Sequence, residues 1–372
     1  MPFVPFSKYS VYGNILIFID EVSEGRLDES EKSNFARIVL NEHHGIGADN
    51  IIMVQSYSPA LMKQIGKKNN CWRASPHLSA ESDPDYVFRM FEPDGREALC
   101  CGNGLICTAH HLYAHYGVEA AGILTEIPSS MPKVRNMEAL ESGKRFRVNM
   151  GCPRLIPESL INVHFITHTE GNLAFFRDYP IHIEWMSTTG KDGSLSTTIS
   201  GCLTYTGEPH LVVFDNPGSR SKDDVSRMFL QLFGEHASQD EDRTPRKQRL
   251  DGDRIFHKIG LDFNAPQSVN FPHGINLNFA RVVSENGIIE SRSFERGINK
   301  ETLSCGTGAL AVASAAHQLH MVKSDSIKVL PKRARRLDQF KDALLYISRD
   351  SSGDWWLETE PRCIFSGTFE FP

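Results

Sequence analysis

The stretch FEPDGREALCCGNG at residues 91–104 recurs as FERGINKETLSCGTG at 294–308. Each copy reads Phe-Glu, a turn containing glycine, a further glutamate, then Cys-Gly-x-Gly. Ten residues separate Phe91 from Cys101, and eleven separate Phe294 from Cys305. Each copy runs on into a helix-like apolar segment, LICTAHHLYAHYG and ALAVASAAHQLHM. Two other stretches recur in the same order. YGNILIFID, starting at Tyr12, is echoed by TGEPHLVVFD, starting at Thr206, and Gly45-Ile46-Gly47-Ala48-Asp49-Asn50 is echoed more weakly by Gly274-Ile275-Asn276-Leu277-Asn278. One match could be chance. Three in order indicate a duplicated domain with pseudo-two-fold symmetry.

The local patterns are mixed. VFRMF and IIESRSF alternate like half-buried strands, while ILIFID, NIIMVQ and HLVVFD are short β-branched runs bounded by turn residues. The segments after the two cysteines are the clearest helices. Strand-rich halves with one central helix each fit an α+β class. The expected division is 1–147 and 148–360, with the tail at 361–372 pairing back onto the first half as a strand. Two stretches of loop composition, at 61–85 and 234–254, read as insertions of unassigned role, the second a charged surface loop. Lys332-Arg333-Ala334-Arg335-Arg336 reads as a solvated loop after Pro331.

Composition narrows the partners. A net charge of −6 gives no electrostatic case for nucleic acid or an anionic membrane. The N-terminus lacks the pattern of a signal peptide, and no run approaches the ~18 apolar residues of a membrane span. The expectation is a cytoplasmic protein with eight reduced cysteines rather than a disulfide framework.

A cysteine beside glycines at a helix start is a chemical device. Helix N-termini expose unpaired N–H groups and a partial positive charge, which together bind anions. The same field favours thiolate over the ordinary thiol pKa of about 8.5. If the two halves faced each other, two helix starts would hold one carboxylate with a sulfur on either side of its α-carbon. One thiolate would take the α-proton and the other thiol would return a proton to the opposite face, inverting the centre. That chemistry takes an amino acid, a small molecule, as partner and calls for no cofactor and no metal.

In these motifs the chain resembles the diaminopimelate epimerase family over most of its length. The carrying residues are Gly13-Asn14, His44-Gly45-Ile46-Gly47-Ala48-Asp49, Asp94-Gly95, Cys101-Gly102-Asn103-Gly104 and Val148-Asn149-Met150-Gly151. They continue with Gly207-Glu208-Pro209-His210, Asn276, Glu295-Arg296-Gly297 and Cys305-Gly306-Thr307-Gly308-Ala309. The resemblance implies two pseudo-symmetric α+β domains, each a curved, mostly antiparallel sheet around a central helix, with the active site in the cleft between them. It implies Cys101 and Cys305 as the catalytic bases, tuned by His210 and Glu295. Gly102, Asn103, Gly306 and Thr307 would hold the reacting carboxylate, with Asn14, Asn50, Glu92, Glu208, Asn276 and Arg296 completing the substrate site. Cys100, one position off the motif, has a minor role at most.

Some positions depart from the family. Glu92 stands where the family has Asn, and Glu208 replaces Asn before Pro-His. Asn50 replaces Gln, Ile15 replaces Asp, and one extra residue lies between Glu295 and Cys305. In diaminopimelate epimerases the arginine matching Arg296 holds the distal carboxylate. Glu92, Glu208 and Glu295 against Arg296 leave a formal charge of −2, so the expected substrate is a basic amino acid such as histidine, lysine, arginine or ornithine. Diaminopimelate itself is the alternative. Proline racemases share Cys-Gly-Thr-Gly, but the Asp-Arg-Ser-Pro type stretch before their second cysteine is missing here. Phenazine-type isomerases lack the cysteine pair. An inactive, ligand-binding homologue is disfavoured by retention of both cysteines, both glycine frames, His210 and Glu295.

Other candidates read as ordinary structure. Cys71, Cys107, Cys152, Cys202 and Cys363 read as packing or surface thiols. His111 and His115 lie four apart on one helix but, with no convergent carboxylate evident, read as helix histidines rather than metal ligands. Gly45-Ile46-Gly47 is too short for a nucleotide motif. The particular substrate, its pathway and a homodimeric state are left open.

Overall fold

The computed structural model describes residues 3–68, 84–98, 101–125, 133–186, 192–215, 222–234 and 246–371. Cys71 and Cys100 lie outside them. The chain forms two compact units, Met1–Gly151 with Ser351–Pro372, and Cys152–Asp350. Both are α+β.

The first unit contains β1 (Phe3–Val11), β2 (Asn14–Glu21), β3 (Asn50–Ser56), β4 (Tyr86–Phe91), β5 (Glu97–Ala98), β6 (Ala120–Thr125), β7 (Lys133–Leu140) and β8 (Arg145–Gly151). Its helices are α1 (Lys32–Val39), α2 (Pro59–Lys68) and α3 (Gly102–Tyr116). Strand pairing runs β1–β2 antiparallel, β2–β3 parallel, β3–β4 antiparallel, β4–β6 parallel, then β6–β7 and β7–β8 antiparallel. The parallel pairs are those whose connections carry α1 and α3, as a parallel pair demands a crossover. Helix α1 buries Phe35, Ala36 and Val39 against Ile17, Ile19, Ile51 and Met53. A fully buried phenylalanine of this kind contributes about 1.5–3 kcal/mol.

The second unit contains β9 (His168–Glu170), β10 (Leu173–Met186), β11 (Asp192–Tyr205), β12 (Pro209–Phe214), β13 (Asn276–Ser284), β14 (Ile288–Glu295), β15 (Lys300–Glu301), β16 (Ser326–Pro331) and β17 (Leu345–Arg349). Helices α4 (Lys222–Phe233), α5 (Arg246–Phe263), α6 (Gly306–Gln318) and α7 (Lys332–Arg335) belong to it. Here β11–β12 is antiparallel, β12–β13 parallel, β13–β14 antiparallel, β14–β16 parallel and β16–β17 antiparallel. The order of pairings repeats that of the first unit. Register repeats as well. Leu16 faces Asn50 across β2–β3, and His210 faces Asn276 across β12–β13.

The duplicated glutamates, Glu97 and Glu301, turn out to be buried partners of arginines. Arg89 Nε donates to Glu97 Oε1 at 2.7 Å, and Arg292 Nε to Glu301 Oε1 at 2.7 Å. Each arginine is buried and takes a second carboxylate, Glu29 for Arg89 and Asp253 for Arg292. A guanidinium fork is suited to holding two planar acceptors at once.

Several expectations change. The strand 145–151 is not divided after residue 147. It pairs with β7 and with Trp355–Thr359, so it stays whole in the first unit and draws residues 351–360 there too. The tail strand Arg362–Glu370 pairs with β1, and Phe371 stacks edge-on with Phe35 at 5.1 Å. In the first stretch expected to be an insertion, residues 61–68 complete α2, while 69–83 fall outside the described residues. In the second, 246–254 begin α5 and 235–245 fall outside. The basic cluster is not a solvated loop. It forms α7, buries Lys332, and sets Arg333 and Arg336 at 2.7 and 2.5 Å from Asp253, a distant acidic residue that composition could not single out.

Candidate active site

Two helices begin on a cysteine in the same way. Cys101 caps α3 at φ −119°, ψ 116°, and Cys305 caps α6 at φ −126°, ψ 111°. Both backbones are extended, as an N-cap requires. Cys101 Sγ accepts from Gly104 N at 3.4 Å, and Cys305 Sγ accepts from Gly308 N at 3.3 Å. The thiol thus takes the place that a serine or aspartate oxygen usually fills. The helix amides ahead of that bond, those of Gly102 and Asn103 and of Gly306 and Thr307, have no partner within the helix.

The glycines three positions on have a packing cause. A Cβ at Gly104 would lie 3.0 Å from Phe88 Cζ and 3.2 Å from Ile52 Cδ1. At Gly308 it would lie 2.5 Å from Asn278 Oδ1 and 3.1 Å from Ser293 Oγ. These positions let each helix start sit close on its own sheet. Both helices are buried along most of their length, which fits their apolar character on every side.

In the first unit Asn14 joins the helix start to the loop before β3. Asn103 Nδ2 donates to Asn14 Oδ1 at 3.2 Å, and Asn14 Nδ2 donates to Asp49 Oδ2 at 3.0 Å. Asp49 Oδ2 also accepts from Ile15 N at 2.8 Å. Asn103 Oδ1 is buried and finds no hydrogen-bond partner among the described residues. Asn50 opens β3 one residue beyond Asp49. Glu92 follows β4. It sits in the β4–β5 turn, 40% exposed, with Arg96 at 3.7 Å.

In the second unit the expected residues form three short chains. Arg296 Nε lies 2.6 Å and Nη2 2.5 Å from Glu208 Oε2, while the Arg296 amide donates to Asn276 Oδ1 at 2.9 Å. His210 is fully buried and its Nδ1 accepts from Asn278 Nδ2 at 3.0 Å. That contact makes Nδ1 the acceptor, so Nε2 carries the proton, and Nε2 is buried with no hydrogen-bond partner among the described residues. Burial, with the positive charge of Arg296 behind it, pushes the His210 pKa down to about 3. The imidazole is therefore neutral at physiological pH. Thr302 Oγ1 donates to Glu295 Oε1, and Thr307 Oγ1 lies 3.5 Å from Cys305 Sγ.

The formal −2 counted from sequence took in Arg296 but left out Arg96. Glu208 is matched by Arg296, and Glu92 has Arg96 beside it. The sequence reading also passed over Asp49, Asn278, Ser293, Thr302 and Thr206, whose Oγ1 donates to Thr307 O at 2.9 Å. All of these but Ser293 lay inside the repeated stretches, and that was the signal available.

The remaining candidates are structural. Cys107 and Cys202 are buried and their thiols are pushed up by burial, Cys202 to about 12. Cys152 and Cys363 are exposed. His111 does meet a carboxylate, correcting the expectation of none: Asp20 Oδ2 lies 2.9 Å from its Nε2, and Tyr9 Oη 3.2 Å from its Nδ1. Among the described residues no group of three or more His, Cys, Asp or Glu is placed to hold a metal ion. Among them, too, no helix is long and apolar enough to cross a membrane.

The model of the diaminopimelate epimerase family matches residues 6–156. A diaminopimelate epimerase from Methanothrix thermoacetophila is 28% identical over 88% of this chain and 85% of its own length. One from Alkaliphilus metalliredigens is 25% identical over 98% and 97%. Among solved structures, a Bacillus anthracis phenazine biosynthesis protein of the PhzF family superposes with a TM-score of 0.52 at 13% identity, covering 100% of both chains. A hydroxyproline epimerase from Agrobacterium vitis, solved with trans-4-hydroxy-L-proline, gives 0.52 at 12% identity over 99% and 93%. These two likenesses are of fold.

Proposed function

We propose that this chain, an isomerase of the epimerase and racemase class similar to the diaminopimelate epimerases, inverts the α-carbon of an amino acid with a cationic side chain. Cys101 and Cys305 are the two bases. One, as thiolate, removes the α-proton, and the other, as thiol, delivers a proton to the opposite face. Their roles exchange in the reverse direction. The amides of Gly102 and Asn103 and of Gly306 and Thr307 hold the substrate carboxylate and stabilise the charge that develops on it. His210, neutral with its proton on Nε2, acts as a hydrogen-bond donor rather than a proton source. Glu295 is the second polar neighbour of the reacting thiols.

The observation that carries the substrate reading is the pair between Arg296 and Glu208. In diaminopimelate epimerases the arginine at this position serves a distal carboxylate. Here the protein brings a carboxylate of its own to that guanidinium. A substrate ending in a carboxylate would have to displace Glu208, whereas a lysine, ornithine, arginine or histidine side chain meets an acidic group already in place. The reading against it is diaminopimelate itself, the substrate for which the similar epimerases are named.

The test is a panel of L-amino acids and diaminopimelate incubated with the enzyme in deuterated water, scored for deuterium at Cα and for the inverted product. Turnover of a basic amino acid above all others is expected. Faster turnover of diaminopimelate than of every basic amino acid overturns the substrate reading. No α-exchange in any member overturns the chemistry.

A further inference from the structure

Behind the start of α6 lies a small cavity lined by Ser291, Ser293, Thr302, Ser304, Cys305 and Arg333, among others, with about 10 Å³ of space for a water centre. That is the lower end of what one water requires, roughly 10–15 Å³ together with two to four polar partners. Ser304, 2% exposed, has its Oγ buried with no hydrogen-bond partner among the described residues. Buried hydroxyls are rarely left in that state.

Two other hydroxyls reach the same space with acceptor capacity left. Ser293 Oγ donates to Asn278 Oδ1 at 2.9 Å, and Thr302 Oγ1 donates to Glu295 Oε1. Each oxygen keeps lone pairs after donating its one proton. Each also begins a chain. From Ser293 the chain passes through Asn278 to His210 Nδ1, and from Thr302 it reaches Glu295 directly.

We propose that the cavity holds one ordered water, accepting from Ser304 Oγ and donating to Ser293 Oγ and Thr302 Oγ1. This water joins the His210 and Glu295 chains behind Cys305 and makes Ser304 a positioning residue for that cysteine. It gives the serine hydroxyl the partner it lacks and ties the helix cap to β14. With the cap held, Gly308 N stays on Cys305 Sγ. The consequence for catalysis rests on the reading of Cys305 as a base. The water and its effect on the thiol do not.

Two measurements on the full chain test it. A high-resolution crystal structure of the wild type is expected to show one water within hydrogen-bonding distance of Ser304 Oγ. A dry cavity, or Ser304 Oγ bonded to a protein group, overturns the proposal. Peptide-resolved alkylation by iodoacetamide then compares wild type with Ser304→Ala and Ser293→Ala at neutral pH. Cys305 is expected to react about threefold or more slowly in both variants, the thiolate being the reactive form, while Cys101 is unchanged. An unchanged or faster rate at Cys305 overturns the positioning role. If Ser304→Ala does not fold, Ser293→Ala and the wild-type structure still decide. Alkylation needs no substrate, so a failed amino-acid panel leaves this result standing, and the reverse holds as well.

Discussion

Arg296 grips Glu208 at two points, with Nε at 2.6 Å and Nη2 at 2.5 Å from the same carboxylate oxygen. The two residues are 88 apart in the chain, and each keeps less than a fifth of its side chain exposed. Partial burial strengthens such a pair relative to one on the open surface. It places a fixed internal anion on the one arginine that the family resemblance assigns to a substrate carboxylate.

Glu208→Asn is expected to free Arg296 and shift specificity. The ratio of kcat/KM for diaminopimelate to that for the best basic amino acid should rise about tenfold or more, since one charge-assisted hydrogen bond is worth ~1.5–3 kcal/mol. Steady-state kinetics on both substrates checks it. An unchanged ratio would remove the pair from the account of specificity.

Cys101→Ala and Cys305→Ala should each lower racemisation by roughly 10²–10⁴-fold, the usual contribution of a positioned acid or base. Substrate binding should persist in both, read as a ligand-induced rise in Tm. Retained turnover in either variant argues against a two-thiol reaction. Lost binding together with lost turnover leaves room for a purely structural role of that cysteine.

The twinned arginines make a prediction about stability. Arg89→Met takes the buried guanidinium from Glu97 and leaves Lys32 to face Glu29, and Arg292→Met takes it from Glu301 and leaves Arg333 and Arg336 to face Asp253. Removing one partner of a buried pair destabilises by about 3–5 kcal/mol. Urea denaturation should find both variants that much weaker, and a loss under 1 kcal/mol at either site would place that pair among ordinary surface bridges.

His210 gives the fold a pH dependence of definite sign. Its pKa falls from 6.5 to about 3 on burial, so between those values the unfolded chain binds the extra proton. Stability supplied by the neutral ring is present above pH 6.5 and is lost as pH falls toward the folded value. The slope from this one group approaches ~1.4 kcal/mol per pH unit. Denaturation of wild type and His210→Gln at pH 6.5, 5.5 and 4.5 should show the variant with the shallower dependence. Parallel curves would mean that His210 is not buried in neutral form. His110 and His111, also pushed down by burial, are present in both proteins and cancel from the comparison.

Much of the architecture was legible because a duplication writes the same instructions twice. Aligning Gly13-Asn14-Ile15-Leu16 with Gly207-Glu208-Pro209-His210 makes Leu16 the counterpart of His210, and the strand register then makes Asn50 the counterpart of Asn276, which the Gly-Ile echo alone had set against Gly47. The sheets pair them so, Leu16 with Asn50 and His210 with Asn276. Strand character came from alternation and β-branching, and the helix starts came from Cys-Gly-x-Gly. All are local signals. The tail strand was legible as well, since its alternation needed only an edge to join, and β1 supplied it. The break after Gly151 was not, because strand 145–151 looks like the end of a half until its partners on both sides are known.

The charges were the least legible part. Counting three glutamates against one arginine named no pairs, and the structure sets Arg96 beside Glu92 and Arg296 on Glu208. Asp20 met His111 across 91 residues, and Asp253 gathered Arg292, Arg333 and Arg336 from as far as 83 residues away. The sequence by itself determined the duplication, the strand and helix patterns and the two cysteine caps, because each is set by neighbours within a few turns of chain. Only the tertiary structure decided which acid meets which base. Coulomb energy depends on distance and burial, and both exist only once distant strands have come together.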